Sequence, residues 1–150
     1  MTAPPRLTMR SVACVVLAGG GLATVIAGGA AAATVTVTVE RVPNDHGEVH
    51  VDLCDAATFL TTNCPYDTSR PARRGTVVVT VPNVAPGRYA AVAYHDANGN
   101  HDLDLNALGI PTELYGFSNN PPMLLGPPLF KDSAFDVADK DVAVKIRLRR

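Results

Sequence analysis

The sequence predicts an all-β fold, a small antiparallel β-sandwich of about six to eight strands that carries a long proline-rich flap. Three observations predict it. Apolar residues recur with a period of two over most of the chain, as in strands that bury one face. Turn-forming residues separate these stretches at short intervals. No window offers apolar residues at helical spacing over the length of a stable helix. Strands with one apolar face belong to antiparallel sheets, and two such sheets pack into a sandwich; a closed barrel is the alternative.

The first segment, residues 1–33, reads as an export leader. Arg6 and Arg10 precede an apolar run over residues 11–26, and small residues ending in "AAAA" lead to Thr34. A membrane anchor is the competing reading, but the run is broken by "GGG" and falls short of the roughly twenty apolar residues a bilayer requires. Ser11 stands where lipoprotein processing at Cys14 would want leucine, so cleavage near Ala33 is expected. No membrane span should then remain. Residues 34–150 are long enough for a single domain with a core of its own.

That domain keeps all 14 acidic residues and loses two of the 13 basic ones, Arg6 and Arg10, for a formal net charge of −3. Nucleic-acid binders usually show a concentrated basic face, so that class of partner is excluded. Cys54 and Cys64 remain after the leader, and in an exported chain they point to a disulfide; a pair of buried thiols is the alternative.

The strands follow in order. In "TVTVTVERV", Val35, Val37 and Val39 face one way, with Thr36, Thr38 and Glu40 on the other side. "GEVHVDLC" places Val49, Val51 and Leu53 inside and Glu48, His50 and Asp52 outside, and "PNDHG" between the two strands reads as a hairpin turn. "DAATFLTTNC" reads as a short disulfide-pinned loop in which Asp55 is able to cap a helical turn. "TVVVTVP" and "GRYAAVAYHD" form a second expected pair around "PNVAPG". "SAFDV" is a further strand, and "DVAVKIRLRR" ends the chain with Val142, Val144, Ile146 and Leu148 on one side.

Residues 109–131 contain five prolines and three glycines, yet they are too apolar for a disordered tail. They are expected to form a compact flap, in which Tyr115, Phe117, Asn119, Asn120 and Phe130 are the residues of interest.

The most distinctive stretch is "HDANGNHDLDLN", where Asp96, Asn98, Asn100, Asp102, Asp104 and Asn106 put an oxygen-bearing side chain at every second position. Calcium takes six to eight oxygens, and a loop with alternating ligands is able to wrap it. With Asp96 as position 1, the first five ligand positions of an EF-hand loop are filled. The glycine nonetheless falls at position 4 instead of 6, Ala107 stands at position 12, and flanking helices are lacking. A different loop would close if Glu113, or the side chains of Asn119 and Asn120, folded back from the flap. The predicted metal ligands are therefore Asp96, Asn98, Asn100, Asp102, Asp104 and Glu113, with calcium as the cofactor and an affinity on the order of 0.1–1 mM. The competing reading is a plain type I′ turn at Asn98-Gly99 with solvated acids around it.

Catalysis finds little support. His46 lies in a turn, His50 on an outer strand face, and His95 and His101 flank the acidic loop, so a zinc site at these positions is disfavoured. No nucleophile elbow, P-loop or dinucleotide fingerprint occurs.

The run "YHDANGNHDLDLNALGIPTELYGFSNN", followed by "GPPLFKDSAFDV", resembles the bacterial family known as domain of unknown function 2141. The resemblance rests on Asp96, Asn98, Gly99, Asn100, Asp104, the "GIP" at 109–111, Glu113, the "GFSNN" at 116–120, the "GPP" at 126–128 and Phe130. It departs at "NHDLD", where a glycine and a basic residue are expected and Asp102 adds a carboxylate. It implies an exported β-rich domain without an established activity. More loosely, "VPNVAPGRYAAVAY" is similar to the proline-glycine-aromatic strand entry of carboxypeptidase-regulatory and transthyretin-like sandwiches, an analogy of fold alone, and the expected sandwich is of the immunoglobulin/transthyretin-like kind. The expected function is a non-catalytic module, periplasmic or secreted, that binds an unidentified envelope or extracellular partner and is stabilised by calcium. A small hydrolase or a small-ligand carrier using the acidic loop and flap is the alternative.

Overall fold

A computed structural model of the chain describes residues 32–123 and 126–150. The leader read in residues 1–33 lies outside them except for its last two alanines. The β1 strand (Ala33–Val42) is followed by β2 (Glu48–Cys54), β3 (Tyr66–Pro71), β4 (Gly75–Val84) and β5 (Gly87–Asp96). Then come β6 (Tyr115–Phe117), a single helical turn α1 (Phe130–Ser133), β7 (Ala134–Val137) and β8 (Val142–Arg147). These strands form two open sheets, as the period-two pattern predicts. One has the order β4-β1-β8; the other has the order β3-β2-β5-β6, with β7 also paired to β5. Among the described residues no helix is long and apolar enough to cross a membrane.

The core lies where the valine alternation places it. Val35, Val37 and Val39 of one sheet and Val49, Val51 and Leu53 of the other are fully buried, together with Val79, Val84 and Ile146. Each such side chain contributes on the order of 1.5–3 kcal/mol when removed from water.

Strand partners differ from the sequence reading in three ways. The two expected hairpins are crossovers instead: β1 and β4 pair with each other in one sheet, while β2 and β5 pair in the facing sheet. Turn residues specify that the chain reverses, but they do not specify whether it returns beside the same strand or crosses to the opposite layer. An extra residue on β1 at Arg41 (φ 67°) and another on β4 near Asn83 (φ 57°) interrupt the β1–β4 register close to these crossovers. Bulges of this kind bend a strand and sharpen its twist.

The second difference is that β8 runs parallel to β1, with Val35 opposite Val142 and Glu40 opposite Arg147. Exposed ion pairs from Glu40 to Lys145 (3.3 Å) and Arg147 (3.1 Å) accompany this pairing and contribute little. The third is that β3 and β6 escape the sequence pattern, because "YDTSRP" is polar on both faces and "YGF" is too short to show a period.

The disulfide between Cys54 and Cys64 is present and closes the loop between β2 and β3. Inside it, the Asp55 carboxylate accepts the backbone N–H groups of Ala57 (3.0 Å) and Thr58 (2.9 Å), as a capping residue does. For a sequence separation of 10, the entropic model of a cross-link gives roughly 2–3 kcal/mol of stabilisation. Ala33, the last residue assigned to the leader, is the first residue of β1 and is buried against Val84.

The two sheets meet closely where β6 passes β8. A Cβ on Gly116 would sit 2.6 Å from the Arg147 carbonyl oxygen and 2.7 Å from Ile146 Cγ2. Backbone hydrogen bonds between Tyr115 and Arg149, in both directions, join the two layers beside it. Gly116→Ala is therefore expected to lower the unfolding free energy by about 1–3 kcal/mol in urea denaturation. An unchanged midpoint would show that the layers are free to separate there.

Candidate functional site

The outer face of the larger sheet carries Glu48, His50 and Asp52, which alternation alone assigns to solvent. The structure corrects that assignment: His50 is only 7% exposed and its neighbour Tyr94 only 6%. The long connection from β5 to β6 folds back over this face, and the disulfide loop and Pro127 add further walls. Together they enclose a cleft of about 830 Å³, a size typical of small-molecule sites. Val92, Tyr94 and Phe117 supply apolar floor, while His50, Asp52, Ser69, His101 and Asp102 bring polar groups to it.

Asp96 organises the connection. Its side chain has no exposed surface, and its oxygens accept the backbone N–H groups of Gly99 (2.7 Å), Asn100 (3.3 Å) and His101 (2.8 Å). Burial alone would raise its pKa. The N–H groups of His101, Gly99 and Asn100, with His50 nearby, outweigh that and hold the carboxyl below the usual carboxylate range.

Of the other predicted ligands, Asn98, Asn100, Asp104 and Glu113 are likewise engaged, whereas the Asp102 carboxylate has no hydrogen-bond partner among the described residues. Asn98 and Asn100 donate their amide N–H groups to the two oxygens of Asp104, at 2.7 and 2.9 Å. Their own side-chain oxygens accept the N–H two residues ahead, at Asn100 (3.1 Å) and Asp102 (3.0 Å), which are Asx turns. Glu113 does fold back, and it accepts N–H groups from Ala97 (3.0 Å) and Asp104 (3.3 Å). These hydrogen bonds account by local geometry for Asp96, Asn98, Asn100 and Asp104 in the alternation. Asn119 and Asn120 turn elsewhere: the first donates to the Ala134 carbonyl (3.0 Å), and the second bonds the Lys145 carbonyl and the Arg147 N–H on β8.

Among the flap residues, Tyr115 and Phe117 lie in a strand. Phe59 of the disulfide loop packs edge-on against both Phe117 (5.8 Å) and Phe130 (5.7 Å), so loop and flap share one aromatic cluster.

A different group of ligating side chains comes together on the sheet itself. Glu48, His50 and His101 bring one donor atom each within 4.8 Å of one another, the one such trio of His, Cys, Asp or Glu found among the described residues. His50 Nε2 lies 3.5 Å from Glu48 and 3.6 Å from Asp96. Its ring stacks on Tyr94 (centroids 5.0 Å apart) and meets His101 edge-on at 4.9 Å. The sequence reading set these histidines aside. The shared face of Glu48 and His50, two apart on a strand, was visible there; the approach of His101 was not.

Further along the same face, Asp52 stands directly across the β2–β3 ladder from Asp67. Burial, and then the Asp67 charge, push its carboxyl up to about 6.

The model of a family described as "Uncharacterized protein conserved in bacteria (DUF2141)" matches residues 37–145. Comparisons with curated proteins and with solved structures gave no match.

Asp52 generates a signed prediction. Its folded-state pKa is raised, so the native state holds the proton more tightly than the unfolded chain does. Its contribution to stability therefore falls as pH rises from about 4 to about 6, and the penalty is complete above that. Asp52→Asn is expected to match the parent chain at pH 4 and to exceed it by roughly 1–3 kcal/mol at pH 7 in thermal or urea unfolding. An equal difference at both pH values would exclude the raised carboxyl as the cause.

Proposed function

Because the chain belongs to this uncharacterized bacterial family, we propose a function from the site alone: an exported, non-catalytic binding module of the cell envelope, periplasmic or secreted. The observation that carries the proposal is the walled cleft on the outer sheet face. A rigid antiparallel floor, apolar groups at its centre and a few inward polar groups are the usual makings of a small-ligand site. The ligand it suits is a small molecule with an apolar face for Val92 and Phe117 and hydrogen-bond donors for Asp52 and Asp102. Leu105, Leu108 and Ile110 stand exposed on the same connection and suit an amphipathic ligand or an envelope partner at the mouth.

Calcium enters this proposal as a stabiliser of the connection, in a form where Asp104 exchanges its two amide donors for the cation and Asp102 turns toward it. Asp96 is already saturated by backbone N–H groups, so the ion would sit on the solvent side of the loop.

A hydrolase is the second reading, favoured by one observation. A carboxyl raised to about 6 and opposed by a second carboxylate suits general acid–base work. Turnover that vanishes in Asp52→Asn while folding persists would replace the binding reading with this one.

A neutral solvatochromic dye such as Nile red is expected to bind the native chain saturably, and Val92→Trp, which fills the floor, is expected to abolish the signal with little change in melting temperature. Dye binding that ignores the tryptophan would place the ligand elsewhere. For the calcium component, millimolar calcium is expected to raise the melting temperature reversibly, EDTA to reverse it, and Asp104→Asn to remove the response. A parent chain indifferent to calcium would strike the ion from the proposal.

A further inference from the structure

The geometry points to a divalent transition-metal site of the zinc class formed by Glu48, His50 and His101, with its open coordination position facing the cleft. His101 comes from the acidic loop, but this donor trio is distinct from the ligand set expected for calcium, and it stands whether or not the cleft holds an organic ligand.

The first support is an orphaned atom. His50 Nε2 is enclosed and finds no hydrogen-bond partner among the described residues, although the His50 side chain is 9% exposed. A buried imidazole nitrogen usually has one. It is also aimed at the right neighbours. Donors bound to a tetrahedral ion at about 2.0–2.1 Å lie roughly 3.3 Å apart, and Nε2 is 3.5 Å from Glu48 Oε2 and 3.6 Å from Asp96 Oδ2. His101 completes the trio from the loop above, where an exposed side chain has room for the small shift that ligation requires.

The donor set also selects the metal. Two imidazoles and a carboxylate suit zinc and its neighbours, whereas calcium wants oxygen throughout. Charge agrees, because one dication balances the Glu48 and Asp96 carboxylates with both imidazoles neutral.

The surrounding hydrogen bonds hold the ligands in place. Ser69 Oγ donates to Glu48 Oε2 at 2.6 Å. Asp96 acts as a positioning residue, since its Oδ2 accepts the His101 backbone N–H at 2.8 Å. The Tyr94 hydroxyl donates to the His101 carbonyl at 3.0 Å, and the Tyr94 ring stacks on His50. Such outer partners orient ligands and raise metal affinity. Ions with this donor set and an open fourth position are able to take an oxygen or nitrogen group from a ligand. The cleft supplies the space for that group.

The test uses the untagged full chain, stripped with EDTA and dialysed. Cobalt(II) is expected to give a saturable visible band at one equivalent, zinc to displace it, and zinc to raise the melting temperature. His101→Ala, on an exposed loop, is expected to weaken zinc binding by about 100-fold or more while the circular dichroism spectrum keeps its β signature, and Glu48→Gln by about 10-fold or more. The proposal is overturned if the parent chain shows no saturable cobalt band, if His101→Ala binds zinc like the parent, or if calcium alone gives the thermal shift.

Discussion

A carboxylate with no exposed surface, that of Asp96, sets the shape of everything above the larger sheet. Burying an unpaired carboxylate costs several kcal/mol, and the chain avoids this by wrapping residues 99–101 around it so that three backbone N–H groups point inward. The consequence reaches beyond the turn. His101 is held with φ 64°, a left-handed conformation that side chains other than glycine adopt reluctantly, and this holds its ring over the sheet. Just before the adjoining strand β2, Gly47 (φ 69°) is needed because a Cβ there would strike the Asp96 carbonyl oxygen. Glu113 repeats the device from the far end of the connection by accepting the Ala97 and Asp104 N–H groups.

The sandwich and the connection therefore rest on different physics. Valines facing each other across the two layers give a rigid floor through burial that is indifferent to direction. The roof is built from directional bonds between side-chain oxygens and backbone N–H groups, with the aromatic cluster of Phe59, Phe117 and Phe130 tying the disulfide loop to the flap. Loops carried on a rigid frame are where binding groups concentrate. Here the frame fixes Glu48 and His50 to within the precision of a strand, and only His101 depends on the roof.

Reading the residues in order recovered the buried set well and the strand partners poorly. Val35, Val37, Val39, Val49, Val51 and Leu53 were legible because a period of two is a local property of the backbone. The disulfide was legible because cysteines are few and the chain looked exported. That β1 finds β4 and β8, and not β2, was hidden, since valine-rich faces are interchangeable as partners until both layers exist. Asn98, Asn100 and Asp104 were visible as a cluster of oxygens but ambiguous in role. The same lone pairs coordinate cations and accept N–H groups, and only the path of the loop decides which donors arrive.

By itself, then, the order of residues determined that this chain makes strands with one apolar face, closes a loop through Cys54 and Cys64, and gathers acidic groups after β5. These follow from interactions between near neighbours. Tertiary structure alone decided that the outer face of the larger sheet is roofed instead of wet, that β8 joins β1 in parallel, and that His101 meets Glu48 and His50. Each of those depends on segments far apart in the chain arriving at one place, and their arrival is governed by the packing of two whole layers and by the burial of Asp96, which no local pattern encodes.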